Sequence, residues 1–191
     1  MIRATAGLVC TILVGACSQT PGTGAGTTMQ MRGYAFAPPA FNSFCAKQSA
    51  LCSTRGSQKV VRLTSASRAE MAEVNRMVNH RITERSDIQT TGRLDEWDLP
   101  KDQGDCEDFA ILKKSELMKR GWPASAMLLT VVRSHGEGHT VLTVRTSEGD
   151  LVLDNMTSAI RDWSRTPYRY FARQSQLDGR SWERIGSAAQ I

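Results

Sequence analysis

The chain has 191 residues, 40% of them hydrophobic and 23% charged, which is what one ordinary globular domain needs, with some chain to spare. Its 24 basic and 19 acidic residues give a formal charge of +5, but they interleave without a dense basic run. That pattern argues against a nucleic-acid partner and for a mildly basic solvated surface.

At the start, Arg3 precedes the apolar stretch Leu8–Ala16, too short to cross a bilayer as a mature helix, so residues 1–16 read as a signal peptide. Val14-Gly15-Ala16-Cys17 resembles a lipobox, which makes Cys17 the expected lipidation site; ordinary cleavage nearby is the alternative. Ser18 lacks the acidic character that retains lipoproteins at the inner membrane, so the expected location is the periplasm, lipid-anchored, with the outer membrane favoured. Residues 17–40 are rich in Gly, Thr, Ser and Pro and are expected to be a flexible tether. The folded domain is expected over residues 41–191.

Three cysteines remain after processing. Cys45 and Cys52 are close neighbours in FCAKQSALC, and export to an oxidising compartment favours a local disulfide between them. Cys106 is left as a lone thiol, which suggests deep burial or a use for its nucleophilicity.

Met71, Val74, Val78 and Ile82 recur at intervals of three and four, predicting a helix over residues 67–85. Residues 86–103 are turn-rich and contain DEWDLP. Phe109, Ile111, Leu112, Leu117 and Met118 predict a second helix over residues 105–120, stopped by Gly121 and Pro123. Residues 127–133, 140–145 and 151–153 predict antiparallel strands, and residues 163–182 further strand or loop on the sheet edge.

Cys106 thus falls in the first turn of a helix, where unpaired N–H groups and the helix dipole favour a thiolate. His139, at the start of a strand, suits a base and acid, and Asp154, at the end of the next, suits an orienter of the imidazole. His80, on the first helix, and His135, in a Gly-rich turn, are weaker candidates. A hairpin centred on Glu148-Gly149 sets Thr143 opposite Asp154, four residues or roughly 13 Å from His139. A bulge or a different pairing is therefore required, and a regular hairpin would remove Asp154 from the site. The backbone N–H of Cys106 is the expected oxyanion donor, with Trp97 or Gln103 as a second; for Trp97 a packing role is the alternative.

GDCEDFAILKKSEL around Cys106, Gly138-His139-Thr140-Val141, LVLDN at Asp154 and the preceding DEWDLP resemble the bacterial transglutaminase-like cysteine proteinases, which include periplasmic LapG-type enzymes. The resemblance covers roughly residues 41–165, with VNRMVNH and FCAKQSALC as less specific matches. It implies an α+β, papain-like or transglutaminase-like fold, in which a nucleophile at a helix N-terminus packs on an antiparallel sheet carrying His and Asp. It assigns Cys106 as nucleophile, His139 as base and acid, and Asp154 as orienter. The acids around the cysteine would raise its pKa. In LapG-type enzymes such acids bind calcium, which makes Asp105, Glu107 and Asp108 candidate calcium ligands. The alternative is that Asp105 caps the helix while Glu107 and Asp108 complement its dipole.

The implied activity is hydrolysis of a peptide bond in a periplasmic or surface protein such as an adhesin, under control of a membrane receptor. A transglutaminase or small-amide hydrolase would use the same residues. From another class, the chain could be a non-catalytic, lipid-tethered calcium-binding module.

Overall fold

A computed structural model describes Met1 and residues 27–93 and 95–186. The signal peptide, Cys17 and the first part of the expected tether lie outside the described residues. The elements in chain order are β1 (Met31–Ala35), α1 (Phe41–Lys47), α2 (Ser49–Cys52), α3 (Ser65–Arg81), β2 (Thr83–Glu84), α4 (Asp87–Thr90), β3 (Gln103–Gly104), α5 (Cys106–Lys119), β4 (Met127–Ser134), β5 (Glu137–Thr146), β6 (Gly149–Leu153), β7 (Arg161–Asp162), β8 (Arg169–Gln174) and β9 (Trp182–Ile185). No helix among the described residues is long and apolar enough to cross a membrane.

Seven strands form one antiparallel sheet in the order β1-β9-β8-β4-β5-β6-β7, the expected α+β architecture. One face packs against the helices: Leu129, Leu142, Val144 and Leu153 join Met71, Val74, Phe109 and Ile111 in the main core. The other face carries Val132, Val141, Val152 and Ile185, closed by Met29 and Trp163. Burial on both faces explains why β4 and β5 are almost continuously apolar or Thr rather than alternating.

Helix α3 begins at Ser65, two residues before the predicted start, because Thr64 and Ser67 form a reciprocal capping box. It ends at Arg81, and Ile82 is already extended. Helix α5 starts on Cys106 and stops where Gly121 takes a positive φ of 86°. The helix is buried on nearly every side, including Lys113 and Lys114, each 0% exposed. Lys114 Nζ reaches Gln174 Oε1 at 3.3 Å, and Lys113 Nζ lies 5.7 Å from the centre of the Phe109 ring. Burial pushes both ammonium groups down to about 7.

Two expectations are corrected. The tether does not extend to residue 40, since β1 pairs with β9 and Met29 is buried. Residues 27–31 are held by long-range polar contacts: Asp150 Oδ2 accepts the Met29 N–H at 2.7 Å, Asp162 Oδ2 accepts the Thr27 N–H at 2.8 Å, and Arg145 donates to the Met29 carbonyl at 3.2 Å. Residues 27–31, which have no ordering signal of their own in the sequence, are thus held by partners more than a hundred residues away. The other correction concerns residues 163–182: β8 lies inside the sheet, between β4 and β9, with only β9 and β1 beyond it.

Candidate functional site

The N-terminus of α5 and the start of β5 meet at one cleft of about 640 Å³, lined by Cys106, His139, Thr140, Asp105 and Glu107, and the end of β6 reaches His139 through Asp154. His139 Nε2 lies 2.9 Å from Asp154 Oδ1, and both residues are buried. Cys106 Sγ accepts the backbone N–H of Thr140, the residue after His139, at 3.3 Å. Cys106 is the free cysteine of the described chain, and Cys45 and Cys52 form the expected disulfide.

The hairpin solves the register problem without a bulge. It turns at Ser147-Glu148, with Thr146 opposite Gly149 and Leu142 opposite Leu153 in regular register. Continued by one residue, this pairing sets Asp154 against Val141, two residues from His139. That diagonal is within reach of an aromatic side chain, so a pairing shifted by two residues from the one centred on Glu148-Gly149 keeps Asp154 at the imidazole, the second of the two expected routes.

Asp154 is held from several sides. Its Oδ2 accepts from the Tyr168 hydroxyl, its Oδ1 accepts from the Met156 N–H at 3.2 Å, and Asn79 Nδ2 donates to its carbonyl at 2.9 Å. Burial raises its pKa, but the bonds from His139 and Tyr168 outweigh that and hold the carboxyl below its ordinary range. Tyr168 also packs against the imidazole, with ring centres 5.6 Å apart. The sequence offered no signal for Tyr168 beyond an aromatic in an Arg-rich stretch.

The thiol is not in the state expected of a helix-start cysteine. It donates to Glu107 Oε2 at 3.1 Å, and burial, Glu107 and Asp105 raise its pKa well above the ordinary value. The helix dipole is outweighed by loss of solvent and two adjacent carboxylates.

Those carboxylates form a cluster. Oxygens of Asp87, Asp105 and Glu107 lie within 4.8 Å of one another. Asp87, at the start of α4, is absent from the sequence-based candidates, because nothing local links it to residues 105–107. Burial first, then neighbouring acids, raise all three, Glu107 up to about 9. Asp105 occupies the helix cap position but makes no side-chain capping bond; it accepts the Asp87 N–H at 3.3 Å, and its Oδ1 is buried without a partner. An all-oxygen donor set with an orphaned buried carboxylate oxygen fits a hard cation.

Asp108 is not brought into this cluster. Its Oδ1 accepts the Asp98 N–H at 2.9 Å, and a Cβ at Gly104 would come within 2.5 Å of its Oδ2. Burial raises this carboxyl to about 7.

The expected oxyanion side chains are also placed differently. Trp97 lines the cleft, but its Nε1 donates to Asp95 Oδ1 at 3.0 Å, and its ring packs edge-on against Phe41 and Trp182. It is a packing residue. Gln103 is exposed on β3, pairs with Thr83 and does not line the cleft. The Cys106 N–H remains available by position, as the first N–H of α5.

The sequence pattern of the family described as bacterial transglutaminase-like cysteine proteinase BTLCP matches residues 31–190. No curated protein sequence matches the chain significantly. Solved structures of Legionella pneumophila LapG are similar. The calcium-bound form is 22% identical with a TM-score of 0.53, over 81% of this chain and 86% of that one. A second LapG structure is 25% identical with a TM-score of 0.50, over 73% and 76%. The EGTA-treated form is 21% identical with a TM-score of 0.51, over 82% of each chain.

Proposed function

The chain belongs to the bacterial transglutaminase-like cysteine proteinases, and on that premise we propose that Cys106, His139 and Asp154 hydrolyse a peptide bond in an exported protein substrate. The observation that carries this reading is the 2.9 Å contact of His139 Nε2 with Asp154, beside a cysteine sulfur held by the next backbone N–H.

With Nε2 engaged by Asp154, Nδ1 is the nitrogen that takes the Sγ proton. The sulfur then adds to the carbonyl carbon, and the Cys106 N–H stabilises the oxyanion. Collapse breaks the C–N bond, and His139 gives its proton to the leaving amine. Water, deprotonated by His139, attacks the thioester, releasing the acid and restoring the thiol. Asp154 keeps the imidazole oriented and stabilises its charged form.

Asp87, Asp105 and Glu107 are the proposed calcium ligands; LapG of Legionella pneumophila has been solved calcium-bound. The cation would supply positive charge that offsets the carboxylates raising the thiol pKa. An adhesin is the proposed substrate type, a membrane receptor the proposed regulator, and lipid attachment at Cys17 in the periplasm the proposed location. Mass spectrometry of the mature N-terminus tests the last, and an unmodified start beyond Cys17 would refute it.

The function itself is tested by comparing surface and periplasmic proteins from cells producing the wild-type or Cys106→Ala protein. A fragment present only with wild type is expected and names the substrate. A cross-linked product instead of a fragment would make the enzyme a transferase, and identical profiles would overturn hydrolysis of exported proteins.

A further inference from the structure

Arg133 on β4 stands directly opposite Arg169 on β8 in the antiparallel pairing. Like charges so placed repel one another. Among the described residues neither guanidinium forms an ion pair. Both lie against the ring of Phe171 instead, 5.5 and 5.7 Å from its centre. A guanidinium stacked by its face keeps its N–H edge free, the edge that grips a carboxylate with two parallel hydrogen bonds.

Arg133 brings the pair to the edge of the nucleophile's cleft. Arg133 and Phe171 line the same cleft as Cys106 and His139, while Asp95, Asp105 and Glu107 line it as well. The cleft is therefore bipolar, with Arg133 on one wall and acidic residues on another, and Arg169 lines an adjoining groove that shares Phe171 with it. Phe171 is 39% exposed, so the stack is open to an incoming chain.

We infer that Arg133 and Arg169, stacked on Phe171, form a specificity site for an acidic side chain of the substrate polypeptide, a few residues from the scissile bond. This rests on the peptidase reading for its occupant, since a polypeptide leaving that cleft past Arg133 and Phe171 enters the groove lined by Arg169. Charge complementarity selects an Asp or Glu and opposes a Lys.

The test uses the full chain carrying Cys106→Ala, so that binding is read without turnover, and short uncharged peptides into which a single Asp, Asn or Lys is placed at successive positions. Titration calorimetry at low salt should show the Asp peptide binding about tenfold tighter than its Asn counterpart at one position, the worth of one hydrogen-bonded charge pair. The preference should vanish in Arg133→Ala/Arg169→Ala and turn toward the Lys peptide in Arg133→Glu/Arg169→Glu, with circular dichroism checking that each variant folds. Equal binding of Asp and Asn peptides at every position, or a preference that survives both double variants, overturns the inference. So does an oligonucleotide that displaces the Asp peptide at lower concentration, which would assign the arginines to a nucleic acid. If the charge preference holds but wild type cleaves none of the peptides or exported proteins, the peptidase reading fails and the recognition site stands.

Discussion

Glu107→Gln separates the two states of the acid cluster, because it removes a charge that burial opposes and a cation needs. Burial, and after it Asp105, push the Glu107 carboxyl from an ordinary 4.5 up to about 9. Between those values the folded chain holds a proton that the unfolded chain has released, so the associated stability is complete below 4.5 and drains away as pH rises toward 9. By pH 7 the loss reaches roughly 3 kcal/mol at about 1.4 kcal/mol per pH unit. A neutral Gln escapes that loss, which for a domain of this size corresponds to about 6–12 °C in melting temperature as an upper limit. In chelator near pH 7 the variant should therefore melt above wild type, and the gap should narrow toward about pH 5. With saturating calcium the order should reverse, because the variant has lost a ligand. Scanning calorimetry at both pH values, with and without calcium, reads all four conditions. Equal melting in chelator at both pH values, or an undiminished gain from calcium in the variant, would refute the reasoning.

The high thiol pKa predicts slow alkylation of Cys106 by iodoacetamide at neutral pH in chelator, and calcium should speed it about tenfold or more as the carboxylates are offset; an unchanged rate contradicts this. Tyr168→Phe removes a hydrogen bond to a charged carboxylate worth about 1.5–3 kcal/mol, so kcat should fall roughly 10- to 100-fold with KM unchanged. Without the hydroxyl the Asp154 carboxyl rises, so the acid limb of the pH–rate profile moves to higher pH; a change confined to KM would assign Tyr168 to substrate binding. Asp150→Asn weakens the shared anchor of Arg145, Arg173 and the Met29 N–H, and about 3–5 kcal/mol of stability should be lost in urea unfolding. Cys45→Ser/Cys52→Ser opens a short loop and should cost about 2.5 kcal/mol in the same assay, with reductant producing the same loss in wild type only.

What the sequence disclosed depended on how far apart the partners lie. Helices α3 and α5 are local objects, set by apolar spacing and stop signals; α3 falls within two to four residues of the position read from the sequence and α5 within one. Cys106 followed from its place at the start of α5, and His139 from its place near the start of β5. Asp87, Tyr168 and the strap at residues 27–31 did not, because each acquires its meaning from a residue 14 to 135 positions away. The misjudged thiol has a related cause: a helix start favours the anion locally, whereas burial and the turn of Glu107 toward Sγ are properties of the packed domain. Nothing local in GDCEDFAILKKSEL marks Lys113 and Lys114 as interior, and only the enclosure of α5 shows it.

The strap also fixes where an autonomous fragment can begin. Cutting just before Phe41, where the apolar pattern starts, would remove β1 and Met29 together. It would uncover Val132, Val141 and Val152 on the second sheet face, leave Asp150 with one donor fewer, and turn β9 into an unpaired edge. It would also delete Ala37, Pro38 and Pro39, which wall the cleft beside Cys106. A truncation at Thr27 keeps all of these, so the minimal folding unit starts fourteen residues earlier than the hydrophobic pattern suggests, at a threonine whose backbone and hydroxyl are both gripped by Asp162.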